Sequence, residues 1–381
     1  MKIKYIKLLI FLLILFLTTS ILPQNVMADT FVYDGSREED LNTAWEDMLT
    51  ALPEEIRQEA EKYSLTNETE KVNEYFTITY WWNKLISACK TAFVEYLSGL
   101  SPLLAILMIT ALIRQWTGSV TESVFQFCSD VSMAITIFTA ISQLMMKMHR
   151  FLVQLCSVMT AMIPVMTVVQ YGMGEVTTAS VNRISLTIFI TVLNQLQRWL
   201  FWPLGQALCC ISILSIVCSQ IPLGGFTGGV RKLFTTLFSL MILIYSFVYG
   251  MQTMLAKSAD SLGLRTVKFA MGSFIPVVGG TVAEAFSAVK EGLAYVRIMA
   301  GAGGIWILGL MFLPIAVSVL CFDTMLSVTH TTAELLGCNQ SAKLLGEIKS
   351  IMHLFSGILW MAVIFFLFAI ILFTKSAGQT T

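Results

Sequence analysis

Eight long apolar runs constrain this chain more than any other feature of its sequence. Each approaches the roughly 20 apolar residues that a helix needs to cross a bilayer. Hydrophobic residues make up 56% of the chain and charged residues 13%, so most of the chain is too apolar for a water-soluble domain. The sequence therefore predicts an all-α, polytopic helical integral membrane protein with seven or eight transmembrane helices. The runs lie at about 93–113, 124–146, 151–171, 181–200, 201–221, 233–254, 298–322 and 351–373.

The N-terminus has the pattern of an export signal. Three lysines precede an apolar run at residues 8–22, and the small residues that follow offer a peptidase site between Ala28 and Asp29. An uncleaved anchor helix is the alternative, but the run is shorter than a membrane span. The sequence therefore predicts a signal peptide that is cleaved after Ala28.

Charge is distributed unevenly along the chain. Residues 29–84 carry 14 acidic and 5 basic residues, whereas the remainder to the C-terminus carries 10 acidic and 16 basic residues. The acidic part suits an exported region and the basic excess suits contact with the lipid bilayer. Basic clusters with interleaved aromatic residues are missing, so nucleic acid is not an expected partner. The predicted regions are a signal peptide (1–28), a small acidic extracytoplasmic helical region (29–88), a first membrane bundle of about six helices (89–254), an amphipathic or re-entrant segment (255–297) and C-terminal membrane helices (298–381).

The stretch near 269–289 is apolar enough to enter lipid, yet it contains Pro276, Gly279 and Gly280. Proline and glycine interrupt the hydrogen bonds of a helix. At membrane depth, backbone groups without helical bonds are tolerated only inside the protein or along a cavity. We therefore predict a re-entrant or broken segment here. Simple alternation of eight crossings also fails the positive-inside rule around this stretch, which leaves the side of the C-terminus open.

Two apolar runs carry polar side chains at helical spacing. In each set the members fall along one line of a helix. Such stripes form hydrogen bonds between helices or line a polar pathway, and the sequence leaves both interpretations open. The first set is Arg183, Thr187, Thr191, Asn194 and Arg198; the second contains Ser132, Thr136, Thr139 and Gln143, with Ser129 one turn earlier.

Candidate chemistry is sparse. Asp323, His330 and Glu334 fall within about 40° of one helix face and could form a proton or metal site. The favoured interpretation is the polar face of an amphipathic helix at the interface. A glycine-rich stretch at 224–229 lacks the lysine that a phosphate-binding loop requires. The sequence predicts no catalytic residue, no metal site and no small-molecule cofactor.

One segment resembles a known family. The residues Leu264-Arg265-Thr266-Val267-Lys268-Phe269, followed by Phe274-Ile275-Pro276-Val277-Val278-Gly279, are similar to the signature stretch of the stage III sporulation protein AE family of endospore-forming bacteria. The order of exported start, acidic region and polytopic body also agrees with that family.

This resemblance implies a non-enzymatic membrane component of a transenvelope, secretion-like channel complex. The protein would lie in the mother-cell membrane surrounding the forespore, with other membrane subunits of the sporulation stage III complex as partners. It would be needed for forespore development after engulfment. The alternative is an autonomous secondary transporter, for which paired broken helices are the usual sign. The interruption near Pro276 has no obvious counterpart in the first half of the chain.

Overall fold

The structure, a computed structural model, describes residues 77–116, 119–217 and 279–375, the segment 245–262 except 257, and scattered positions within 46–58 and 228–243. The predicted cleavage site between Ala28 and Asp29 lies outside the described residues. So do residues 264–278 of the signature segment, whereas its last residue, Gly279, is described.

Every regular element in the described residues is a helix, which confirms the all-α prediction. A π-helical turn, Gln197–Phe201, joins the third and fourth helices, and the described residues of 245–262 are also helical. From Gly279 onward the chain is regular helix, so the predicted break does not include 279–289, and 269–278 lies outside the described part. The helices are α1 (Ile78–Trp116), α2 (Ser119–Gly172), α3 (Val176–Leu196), α4 (Trp202–Val217), α5 (Gly279–Leu335) and α6 (Asn339–Lys375).

Five helical rods among the described residues are long and apolar enough to cross a membrane. They are α1, α2, α3 continued through α4, α5 and α6. The helical membrane class is therefore confirmed, but the boundaries differ from the eight predicted runs. The interval between the predicted runs 124–146 and 151–171, where the sequence suggested a turn, lies within α2. The boundary between the runs 181–200 and 201–221, where a tight turn was also expected, lies where α3 continues into α4.

Physical reasons for this continuity are local. The sequence between the two apolar runs of α2 contains no glycine or proline that would end a helix. Lys147 Nζ lies 2.5 Å from Glu95 Oε1 of α1, so its charge is paired on the side of the bundle. Pro203 comes directly after the π-helical turn Gln197–Phe201, and proline and π-bulges are the usual places where a helix kinks and continues.

The length of α2 limits how it can sit in a membrane. Its 54 residues span about 81 Å at 1.5 Å per residue. A bilayer with its headgroups is about 40–45 Å thick, and membrane helices tilt by up to about 40°. Even at that tilt α2 would rise about 60 Å. The runs 124–146 and 151–171 therefore do not form a helical hairpin, and part of α2 extends beyond the bilayer.

Aromatic contacts set the directions of the helices. Tyr80 lies 6.5 Å from Trp306, and Tyr96 lies 5.7 Å from Phe322, between ring centroids. The second contact lies 16 residues further along both helices than the first, so α1 and α5 run parallel. The turn at Gly337, with φ 72°, reverses the chain between α5 and α6.

Close approach of α1 and α5 depends on Gly309. A Cβ atom at this position would lie 2.5 Å from Cη2 of Trp81, inside van der Waals contact. A Cβ atom added at Gly357 on α6 would have no neighbouring heavy atom within 4 Å. Small residues in a membrane helix thus serve here to bring one helix against a rigid ring.

We expect Gly309→Val to destabilise the bundle by about 1–3 kcal/mol, because the indole must move from a packed position. Gly357→Val is the matched control, since it makes the same change in helix propensity at a position where a Cβ atom meets open space. Thermal unfolding of the two detergent-purified variants measures the difference. Equal unfolding temperatures would contradict the packing described for Trp81.

Candidate functional site

The polar stripe of α3 faces away from the bundle. Thr187 Oγ1 donates to the carbonyl oxygen of Arg183 at 2.7 Å, and Thr191 Oγ1 donates to that of Thr187 at 2.8 Å. These hydroxyls are bonded within their own helix and not to a neighbouring one. Every member of the stripe is exposed: Arg183, Thr187, Thr191, Asn194 and Arg198.

The opposite face of α3 carries a second polar set that sequence analysis missed. Thr253 Oγ1 donates to Asn182 Oδ1 at 3.0 Å, and Ser185 Oγ donates to Gln252 Oε1 at 2.9 Å. Both bonds join α3 to the 245–262 segment. The only signal in the sequence is the spacing of Asn182 and Ser185, which gains meaning once their partners are known.

Asp260 fixes the start of α3 from the same segment. Its carboxylate accepts the backbone N–H of Thr177 at 2.9 Å and that of Thr178 at 2.7 Å. The residue that precedes the helix, Glu175, forms no side-chain cap of its own. Asp260 therefore takes the role of a capping side chain, and its negative charge lies at the positive end of the helix dipole.

Removal of this cap should loosen α3. We expect Asp260→Ala to lower the free energy of unfolding by about 0.5–2 kcal/mol, the range measured for capping residues. Ser258→Ala is the control, because Ser258 is exposed and its hydroxyl donates to the carbonyl oxygen of Met254 in its own segment. Hydrogen exchange at the amides of Thr177 and Thr178 should quicken in the first variant alone. Unchanged exchange at both amides in Asp260→Ala would contradict the cap.

The stripe of α2 also lies largely on the outside. Its three hydroxyls each donate to a carbonyl four residues earlier, at 2.8–3.0 Å. Thr136 is half-buried and the other three members are exposed. The second stripe thus resembles the first in having its hydroxyls satisfied within the helix. The members are Ser132, Thr136, Thr139 and Gln143.

Polar groups near the first turns of α2 are instead directed inward. Ser129 lies 2.5 Å from the hydroxyl of Thr110 on α1. Asp130, which is buried, accepts from Ser341 of α6 at 2.7 Å and from Gln126 at 3.1 Å. These bonds join α2 to the preceding helix α1 and to α6, which is distant in the sequence.

Asp323, His330 and Glu334 do not form one site. Asp323 is buried, and its Oδ1 lies 3.4 Å from Nε2 of His353 on α6. His330 Nδ1 lies 3.7 Å from Oε2 of Glu334, which is exposed. All three stand on the long helix α5, packed along α6. The structure thus divides the predicted polar face into two separate pairs.

A buried ion pair closes the other end of the bundle. Nη1 of Arg297 lies 2.9 Å from Oε2 of Glu175, in the turn between α2 and α3. The guanidinium also donates through Nε to the carbonyl oxygen of Phe373 and lies 5.0 Å from that ring. Arg297 is 0% exposed. Sequence analysis placed it at the edge of a connecting segment and missed this pair.

The described side chains show which chemistry the bundle offers. Within them, no group of three or more histidine, cysteine or acidic residues could hold a metal ion. Arg297 pairs with Glu175 and Asp323 with His353, and the buried carboxylates of Asp130 and Asp260 accept hydrogen bonds from neutral groups. The two stripes instead present hydroxyl, amide and guanidinium groups outward. The stripes are therefore the part of the described membrane surface that is suited to water, polar solutes or another protein.

A comparison with known families gives the chain its relatives. The family model for stage III sporulation protein AE matches residues 60–377. The chain belongs to the stage III sporulation protein AE family. Its match begins within the acidic N-terminal region and includes residues 264–279, and the family expected from the sequence is thereby confirmed.

One curated relative is the stage III sporulation protein AE of Bacillus subtilis (strain 168), which is 24% identical over 226 residues. The alignment covers 59% of this chain and 56% of the relative, so the chain matches little more than half of that protein's length. No solved structure matches the chain. Membership of a sporulation family and a body of long apolar helices agree with a multi-pass membrane protein that acts in sporulation.

Proposed function

We propose that this protein is a non-enzymatic membrane subunit of a transenvelope, secretion-like complex that links mother cell and forespore. It lies in the mother-cell membrane around the forespore and supports forespore development after engulfment. The observation that carries the proposal is the family match over residues 60–377, which places the chain among stage III sporulation proteins.

The geometry supports a role as a subunit. Helix α2 is longer than a bilayer is thick, so part of its apolar surface lies outside lipid. Exposed apolar side chains are distributed along it, including Val124, Phe127 and Ile135 at 62%, 52% and 63%. Apolar surface of this kind outside a membrane is characteristic of protein contact sites. Other membrane subunits of the sporulation stage III complex are the proposed partners.

A specific observation keeps the transporter as a second candidate. The buried carboxylate of Asp323 pairs with the exposed imidazole of His353 between α5 and α6, and ionisable groups within membrane helices often serve ion or substrate paths. Uptake of a solute into liposomes that contain the purified protein alone would favour this reading. Its absence, with a stable complex isolated from cells, would favour the subunit.

Co-purification tests the proposal. The protein is extracted in mild detergent from sporulating cells and from vegetative cells that express it artificially, and the bound proteins are identified. We expect other sporulation-stage membrane proteins in the first sample alone. Recovery of the chain without any other membrane protein from sporulating cells would contradict the proposed complex.

A further inference from the structure

The exposed side of α3 is divided lengthwise into two lines of opposite character. One line is the polar stripe defined above. The other is offset by one residue, about 100° around the helix, and consists of Ile184, Ile188 and Val192, which are 59%, 52% and 40% exposed. Lipid suits the apolar line. The polar line needs a different neighbour.

The third side of α3 holds the helix in this rotation. Phe189 packs against Phe365 at 3.6 Å and against Tyr245 at 4.6 Å between ring centroids, and Asn182 is bonded to Thr253. Aromatic rings and polar side chains that bond one another occupy the inner side of the helix, so we place no polar pathway along α3 within the single chain there. The stripe stays outward.

The charged and amide members of the stripe are costly in lipid. Within the described residues, the side chains of Arg183, Asn194 and Arg198 form no hydrogen bond and no ion pair. Arginine and asparagine at membrane depth normally face protein or water. The two arginines lie 15 residues apart, which corresponds to about 22 Å along the helix. A water-filled space or a protein surface along most of a bilayer core is needed to cover them.

We propose that several copies of this chain surround a water-filled pathway, with the α3 stripe of each copy facing it, and that the pathway favours anionic solutes. This inference rests on the proposed function as a channel subunit. Copies in one membrane share one orientation, so each arginine meets its equivalent at the same height. Like charges oppose direct contact of two stripes, whereas a space filled with water accommodates them. Rings of arginine are the arrangement that anion pores use.

Cross-linking tests the arrangement. Thr191→Cys and Ile188→Cys are made separately in a chain whose eight native cysteines are replaced by serine, and whose ability to support sporulation is verified first. A flexible bifunctional maleimide is added to membranes from sporulating cells. Thr191→Cys should give cross-linked multimers of this chain, and Ile188→Cys should give none. Cross-links from Thr191→Cys only to a different protein, or multimers from Ile188→Cys alone, overturn the proposal.

Reagent charge tests the solute class. Membrane-impermeant thiol reagents, one an anionic sulfonate and one a cationic trimethylammonium, are applied to Thr191→Cys, and their rates are divided by those with a free thiol. The anionic reagent should react about tenfold faster, since two rings of positive charge raise its local concentration. Arg183→Gln with Arg198→Gln should bring the ratio near one, and the paired lysine variants should retain it. Equal rates with the arginines present overturn the anionic preference.

These measurements test the pathway separately from the proposed function. Cross-linking and reagent rates do not depend on spore counts, so they report on the pathway itself. Multimers linked through Thr191→Cys in a chain whose loss leaves sporulation intact would overturn the proposed function and support the pathway. If the chain co-purifies with sporulation proteins but gives no such multimers, the proposed function is supported and the pathway is overturned.

Discussion

Arg297→Ala is expected to destabilise the protein by about 3–5 kcal/mol, the usual effect of removing one partner of a buried ion pair. Arg297 is fully buried, and Glu175 is 10% exposed by its side chain, so the carboxylate would remain in the bundle without its counter-charge. The substitution also removes the contacts with Phe373 that join α5 to α6. Thermal unfolding of detergent-purified protein and its abundance in membranes measure the loss.

Two further variants make this result specific. Arg150→Ala removes an exposed arginine from α2 and should leave the unfolding temperature close to the native value. Adding Glu175→Gln to Arg297→Ala should recover part of the loss, because the uncompensated charge disappears. Similar unfolding temperatures for Arg297→Ala and Arg150→Ala would show that the ion pair does not hold the three segments together.

The polar stripe of α3 predicts a loss of function without a loss of fold. Thr187→Leu, Thr191→Leu and Asn194→Leu together should leave membrane insertion intact, because these side chains are exposed and the threonine hydroxyls bond only their own helix. Heat-resistant spore counts should fall toward those of a strain that lacks the gene, since the proposed pathway loses its polar lining.

The neighbouring line of α3 provides the matched control. Ile184→Leu, Ile188→Leu and Val192→Leu change three exposed residues of the same helix while keeping them apolar. Spore counts in this strain should equal those of the parent. If both triple variants sporulate normally at equal protein abundance, the stripe has no part in the function.

Sequence periodicity located the helices better than their ends. The apolar runs are all helical wherever the structure describes them, because spacing and hydropathy are local properties. The prediction of a turn at residues 147–150 was wrong, because charged residues between two apolar runs resemble a loop. In the fold Lys147 pairs with Glu95, a partner 52 residues away that the local pattern does not contain.

The same limit applies to the candidate site. Helical spacing identified the line from Arg183 to Arg198, but only the partners of Asn182 and Phe189 reveal that this line faces outward. Alternation of eight crossings from an exported residue 29 would place Arg297 in an outside segment, although it is buried against Glu175. The failure of the positive-inside count reflects in part such residues, whose charge is paired inside the protein.

Deletion of the gene in its host tests the central claim most directly. Growth rate, completion of engulfment and heat-resistant spore counts are measured in the deletion strain and in a strain complemented with the full chain. The account predicts normal growth and engulfment, a block in forespore development afterwards, and recovery on complementation. Normal numbers of heat-resistant spores in the deletion strain would contradict it.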